Sequence, residues 1–157
     1  MIAVSAPAAS EISDPFPDVA ASYVQYLNGD LLWAHKPDRA LPPASLTKIM
    51  TALIVIERLR LGDVVTISRN AERETGTRLK LQAGEKWYVG DLLAGALINS
   101  ANDACHALAE HIGGTEKGFV KLMNKRALQL GLINTRFKNA CGHDADPRSV
   151  GRQPADG

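Results

Sequence analysis

The sequence predicts a mixed α/β (α+β) fold: a small N-terminal β-hairpin followed by a helical part. Three observations carry this. Asn28-Gly29 lies between the short β-prone runs "ASYVQYL" and "LLWAH", and a tight primed turn needs the positive φ these residues supply. The stretch "SLTKIMTALIVIERL" is apolar at helical spacing. Beyond residue 90, three further segments with helical periodicity end at glycines or turns.

The elements follow in order. Residues 1–19 carry Pro, Ser, Ala and Asp and read as an irregular lead-in. The hairpin comes next, then the loop "KPDRALPPA". The first helix runs from about Ser45 to about Leu59. Ile49, Met50, Leu53, Ile54, Val55 and Ile56 cover nearly every face of it, the pattern of a helix packed inside a domain. "DVVTIS" reads as a short strand, and "TRLKLQAGEKWYV" as a second small hairpin because it alternates around a Gly turn. "GDLLAGALI" is a short helix. In "SANDACHALAEHIGG" the residues Ala101, Ala104, Cys105, Leu108, Ala109 and Ile112 share a helical face, and Gly113-Gly114 stops it. Thr115 can cap a last helix with Phe119, Leu122, Met123, Ala127 and Leu130 on one face and Gly131 at its end. "NTRFKNACGHD" reads as extended chain and turn. No internal repeat is present. Three regions result: a lead-in (1–19), one domain (20–144), and a tail (145–157) with almost nothing to bury.

Composition narrows the function. The 157 residues are 45% hydrophobic and 22% charged, which suits one folded domain with a core. Net charge is +1 and no run of Lys or Arg occurs, so neither nucleic acid nor an anionic membrane is indicated as partner. The richest apolar run, Ile49–Ile56, is far too short to span a bilayer. "MIAVSAPAAS" lacks a basic region and is not a complete secretory signal. Cys105 and Cys141 form no metal pattern or CxxC, and Cys105 reads as a buried free thiol. His35, His106, His111 and His143 lack ligand spacing. No metal or cofactor is expected.

Chemistry concentrates in two stretches. A serine hydroxyl is a weak nucleophile until a base takes its proton. Ser45 and Lys48 are three residues apart, so a helix places both on one face. A lysine amine in apolar surroundings loses part of its preference for the charged form and can act as that base. The apolar run that follows Lys48 supplies such surroundings. The bland alternative is a capping serine beside a surface lysine. The second stretch is "LINSANDA", where Ser100 and Asn102 lie in a turn between two helices. They can project into a cleft or simply cap the next helix.

Taken together, "RALPPASLTKIMTALIVIERL", "LLAGALINSANDACHALAEHIGG" and "FVKLMNKRALQLGLINTRFKNACGHD" resemble the D-alanyl-D-alanine carboxypeptidases. These are low-molecular-mass penicillin-binding proteins that share a fold with the β-lactamases and carry SxxK, an S-x-N triplet and KTG. The resemblance spans roughly residues 20–144 and implies a β-lactamase/transpeptidase-like fold. It implies that Ser45 is the acylated nucleophile, Lys48 the base, Ser100 the proton relay to the leaving amine, and Asn102 a substrate-binding residue. The Ser45 backbone N–H would be one oxyanion donor. The implied reaction removes the terminal D-alanine of a peptidoglycan stem peptide through an acyl-serine, which a β-lactam would trap as a covalent adduct at Ser45. The implied location is periplasmic or extracytoplasmic.

The sequence also departs from that family. No KTG occurs. In the family its strand binds the substrate carboxylate, supplies the second oxyanion N–H and belongs to a C-terminal sheet. The expectation is therefore a domain truncated before KTG, lacking those sheet strands, with impaired activity and marginal stability. "ADPRSVGRQPADG" reads as an altered frame or an early end to the gene. The rival from another class is an inactive remnant or non-enzymatic binding module. A β-lactamase is disfavoured, because no Glu-x-x-Leu-Asn segment is seen and SAN is not SDN.

Overall fold

The structure, a computed structural model, describes residues 23–28, 30–35 and 41–143. The expected lead-in (1–19) and tail (145–157) lie outside the described residues. The chain divides into two compact units, Met1–Pro42 and Pro43–Gly157.

The first unit holds the predicted hairpin. Strand β1 (Tyr23–Leu27) pairs antiparallel with β2 (Asp30–His35), from Tyr23 opposite His35 to Leu27 opposite Asp30. An irregularity between Gln25 and Tyr26 shifts the register. Asn28 takes φ +52°, the left-handed conformation the turn requires.

The second unit is helical around a small two-stranded sheet. A 3₁₀ turn (Ala44–Leu46) leads into α1 (Thr47–Arg58). Then come β3 (Val64–Thr66), α2 (Arg69–Glu72), β4 (Lys86–Tyr88), α3 (Val89–Ile98), α4 (Asn102–Gly113) and α5 (Glu116–Gln129). Helix α4 is the hub, packing against α1, α2, α3, α5 and β3. Its residues Asn102 to Ala109 are all buried, and the small side chains of Ala104, Ala107 and Ala109 let neighbours approach on every side. Its Leu108 and, around it, Ile54, Val55, Val65, Ile67, Leu92, Phe119 and Met123 form the core. Thr115 caps α5 as expected, its Oγ1 accepting from Gly118 N at 3.0 Å. Gly114 and Gly131 take positive φ after α4 and α5.

Two expectations are corrected. The second hairpin does not form within residues 77–89; β4 pairs instead with β3, Val64 opposite Tyr88. The amides of Leu79 and Leu81 donate to the Asp103 carboxylate, each at 3.0 Å, rather than to a strand ladder. Lys80 between them has φ +64°, which no strand accommodates. Nor is α1 buried all round. Met50, Ile54 and Val55 are buried, but Leu46, Ile49 and Ile56 are 68%, 62% and 63% exposed. These three lie along one side, at helical spacings of three and seven.

Candidate active site

Ser45 sits in the 3₁₀ turn and not at a helix cap: no side chain caps either that turn or α1. Its Oγ instead accepts a hydrogen bond from Ser100 Oγ at 3.0 Å. The two serines meet because α3 and α4 are joined by a sharp turn in which Ser100 takes φ +55°. Ala44, just before Ser45, takes φ +45°. Non-glycine residues in this region are strained, typically by about 1–3 kcal/mol, and such strain collects at functional sites.

Lys48 follows Ser45 by one helical turn and is only 3% exposed, so it is no surface lysine. A buried amine nitrogen must have its N–H groups satisfied by acceptors. Lys48 Nζ donates to Asn102 Oδ1 at 2.9 Å and to the Cys141 carbonyl at 2.8 Å, which leaves one further position on the nitrogen for another group. Asn102 is the first residue of α4. Its Nδ2 donates to Thr75 O at 2.7 Å and its backbone N to Thr77 O at 2.8 Å. Ser45, Lys48 and Ser100 line one depression of about 570 Å³, with apolar Leu46, Ile49 and Leu97 around them. All four residues singled out by spacing are thus joined, Ser45 to Ser100 and Lys48 to Asn102.

The segment 139–142 completes the support. Asn139 Oδ1 accepts from Cys141 N and Gly142 N, Ala140 O accepts from Thr51 Oγ1 at 2.6 Å, and Ala140 N donates to Glu116 Oε1 at 3.0 Å. Gly142 has φ +72°, and a Cβ there would lie 1.8 Å from the Ala44 carbonyl oxygen. Only glycine lets this segment lie against the turn that carries Ser45. Cys105 and Cys141 are both buried and free. Hydrogen bonding to Cys105 and burial push the Cys141 thiol up, so it stays protonated.

Behind Asn102 lies a cluster of charges. His106 Nδ1 is 2.6 Å from Glu74 Oε1, its Nε2 is 3.4 Å from Glu110 Oε1, and His143 Nε2 is 3.6 Å from Glu74 Oε2. Burial opposes the imidazolium. The hydrogen bond to Glu74 and the charges of Glu116, Glu74 and Glu110 outweigh it, and His106 is pushed up to about 9. Burial likewise opposes the Glu74 and Glu110 carboxylates, but hydrogen bonds and the nearby imidazoles hold both below the ordinary range. Ser68 Oγ and Asn70 Nδ2 also donate to Glu110. Among the described residues no group of His, Cys, Asp or Glu could hold a metal, and no helix is long and apolar enough to cross a membrane.

Spacing alone does not reveal Cys141, whose contribution is a backbone carbonyl, or the Thr75 and Thr77 carbonyls. Glu74 and His106 are separated by 32 positions, and nothing local couples them. The placement of a histidine next to buried alanines in "DACHALAEH" is the one available signal.

Comparison with known proteins identifies the family and the fold. A family model described as D-alanyl-D-alanine carboxypeptidase, peptidase S11, matches residues 11–152. The carboxypeptidase DacF of Bacillus subtilis is 41% identical over 128 residues, 78% of this chain and 33% of the relative. DacC of Escherichia coli is 38% identical over 133 residues, again 78% of this chain and 33% of the relative. The chain therefore spans about a third of the length of these curated relatives. Among solved structures, the carboxypeptidase DacD of Francisella tularensis matches with a TM-score of 0.75 at 36% identity, covering 92% of this chain and 35% of that one. Penicillin binding protein 5 of Haemophilus influenzae matches with a TM-score of 0.72 at 38% identity, covering 79% and 39%. The described part thus has the fold of the penicillin-binding proteins, and the chain belongs to the D-alanyl-D-alanine carboxypeptidase family.

Proposed function

We propose that the site acylates on Ser45 and that its substrate is the D-alanyl-D-alanine end of a peptidoglycan stem peptide. The observation that carries this reading is the Ser100–Ser45 hydroxyl hydrogen bond of 3.0 Å beside a lysine that is 3% exposed. Lys48 in its neutral form takes the Ser45 proton as Oγ attacks the penultimate D-alanine carbonyl. The Ser45 backbone N–H faces the charge that develops on the carbonyl oxygen, one donor of an oxyanion hole. Ser100 hands a proton to the leaving D-alanine amine, and water then releases the acyl group. Asn102, fixed between Lys48 and Thr75, binds the peptide backbone. The relatives' names support the reaction class. Such chemistry belongs outside the cytoplasmic membrane, where peptidoglycan lies.

A fluorescent penicillin tests the reading, because a β-lactam leaves a covalent acyl group on the nucleophile. Labelling of the folded chain that disappears in Ser45→Ala supports it. Soluble, cooperatively folded protein that takes no label refutes it and leaves a non-enzymatic member of the same fold.

A further inference from the structure

We propose that the Glu74–His106 pair is a positioning device for Asn102, and through it for Lys48. Helix α4 grips the segment 74–77 at two heights. At its first residue, Asn102 takes the Thr75 and Thr77 carbonyls. One turn later His106, on the same side of the helix, holds Glu74 at 2.6 Å. Glu74 and Thr75 are adjacent in the chain, so the ion pair fixes where the Thr75 carbonyl points. That carbonyl in turn fixes which way the Asn102 amide faces. With Nδ2 committed to Thr75 O at 2.7 Å, Oδ1 is left for Lys48 Nζ at 2.9 Å. A reversed amide would present N–H to N–H and strip Lys48 of one of its two acceptors. Gly76 leaves little slack: at φ +75°, a Cβ there would sit 3.0 Å from Asn102 Nδ2.

His106 is buried, Glu74 is half-buried, and the pair is well supplied with charge. His106 is 7% exposed. The titratable groups that face it are Glu74 on the preceding loop, Glu110 on its own helix, and Glu116 at the start of α5; His143 from the last described segment reaches Glu74. His106 Nε2 approaches Glu110 Oε1, which Asn70 also holds. This arrangement keeps the imidazole protonated well above its ordinary range, with burial opposing and the three carboxylates prevailing. Neither residue lines the depression that holds Ser45, so both act at a distance from the chemistry.

The inference rests on the acylation reading, and two measurements separate them. The first uses fluorescent penicillin and resolves the labelled fraction at saturation from the rate constant of acylation. His106→Ala and Glu74→Ala should label to the same final fraction with a rate constant on the order of 10-fold to 100-fold lower, because a misplacement of about 1 Å caused far from the chemistry can cost on the order of 10²-fold. Glu74→Gln, which can still accept a hydrogen bond, should recover most of the rate. A lowered fraction at an unchanged rate constant would show a merely structural pair and overturn the proposal. The second measurement needs no activity. In ¹⁵N-edited NMR of the full chain, the Asn102 side-chain amide should shift with the His106 titration near pH 9 and lose that shift in Glu74→Ala. An Asn102 signal that stays flat while His106 titrates overturns the proposal, whether or not the chain reacts with penicillin.

Discussion

At Gly142 a single missing Cβ decides whether the turn that carries Ser45 and the 139–142 segment can touch. Alanine there would bring a methyl group to within 1.8 Å of the Ala44 carbonyl and force a φ of +72° on an L side chain. We expect Gly142→Ala to cost about 2 kcal/mol or more. Gly114→Ala is the control: φ is +70° but nothing lies within 4 Å, so only the backbone term of about 1 kcal/mol remains. Denaturant melts of the two variants check this, and equal losses would contradict it. The Ser45–Lys48 pair and the Ser100–Asn102 turn can be singled out in the sequence because helical spacing and turn chemistry are local, whereas their roles come only from the family resemblance. Gly142 is not legible in that way. Its necessity comes from a carbonyl almost a hundred residues earlier, and a glycine in "CGHD" reads only as a turn. His106 illustrates the same limit. Its helix is evident from periodicity, but its partner comes from a loop that no pattern brings near.

At the scale of elements, the loop between α2 and β4 is bound to α4 by backbone amides rather than by a strand ladder. Asp103, 1% exposed, accepts from Leu79 N, Leu81 N and Ala104 N. Alternating "RLKLQ" resembles a strand by its side chains, yet a buried carboxylate competes for the amides and wins. Asp103→Ala removes three acceptor contacts and leaves buried N–H groups unpaired, at a cost of about 1–3 kcal/mol or more. Amide hydrogen exchange should speed up at Leu79 and Leu81 first, before the core of α4 responds. Uniform exchange across α4 and the loop would instead mean that the loop has no separate anchorage. Helices α3, α4 and α5 are legible to within a residue or two, because their apolar faces, the Thr115 cap and the terminal glycines agree. The error at α1 has the opposite cause. Its apolar residues do go all round, but the described residues cover only the side of Met50, Ile54 and Val55.

For the whole molecule, the open side of α1 and the exposed Leu97 and Ile98 of α3, 47% and 82%, set behaviour in solution. Contiguous exposed apolar surface promotes association. Ile56→Lys with Ile98→Lys should reduce concentration-dependent sedimentation while leaving the unfolding free energy within about 0.5 kcal/mol. Unchanged association would place the sticky surface elsewhere. The charge cluster sets the response to pH. His106 is raised from 6.5 to about 9, so its stabilisation is full below pH 6.5 and is lost as pH rises through about 9. Glu74 and Glu110 are lowered from 4.5, so theirs is present above pH 4.5 and is lost as pH falls through the depressed values. Stability should therefore be greatest between pH 4.5 and 6.5 and should decline toward 9, and His106→Gln should flatten that alkaline decline. A thermal midpoint that holds level from 6.5 past 9 in the parent chain would contradict this.

The positive φ angles of Ala44 and Ser100 have a practical side. A laboratory selection for heat resistance rewards whatever relaxes the folded backbone, and glycine relaxes both positions, offset in part by the freedom it restores to the unfolded chain. At position 44 that change spares every polar group of the site. At position 100 the same change deletes the hydroxyl that meets Ser45. Melting curves would not tell the two winners apart by the site, and only a chemical assay would show whether the loss of the Ser100 hydroxyl matters to it.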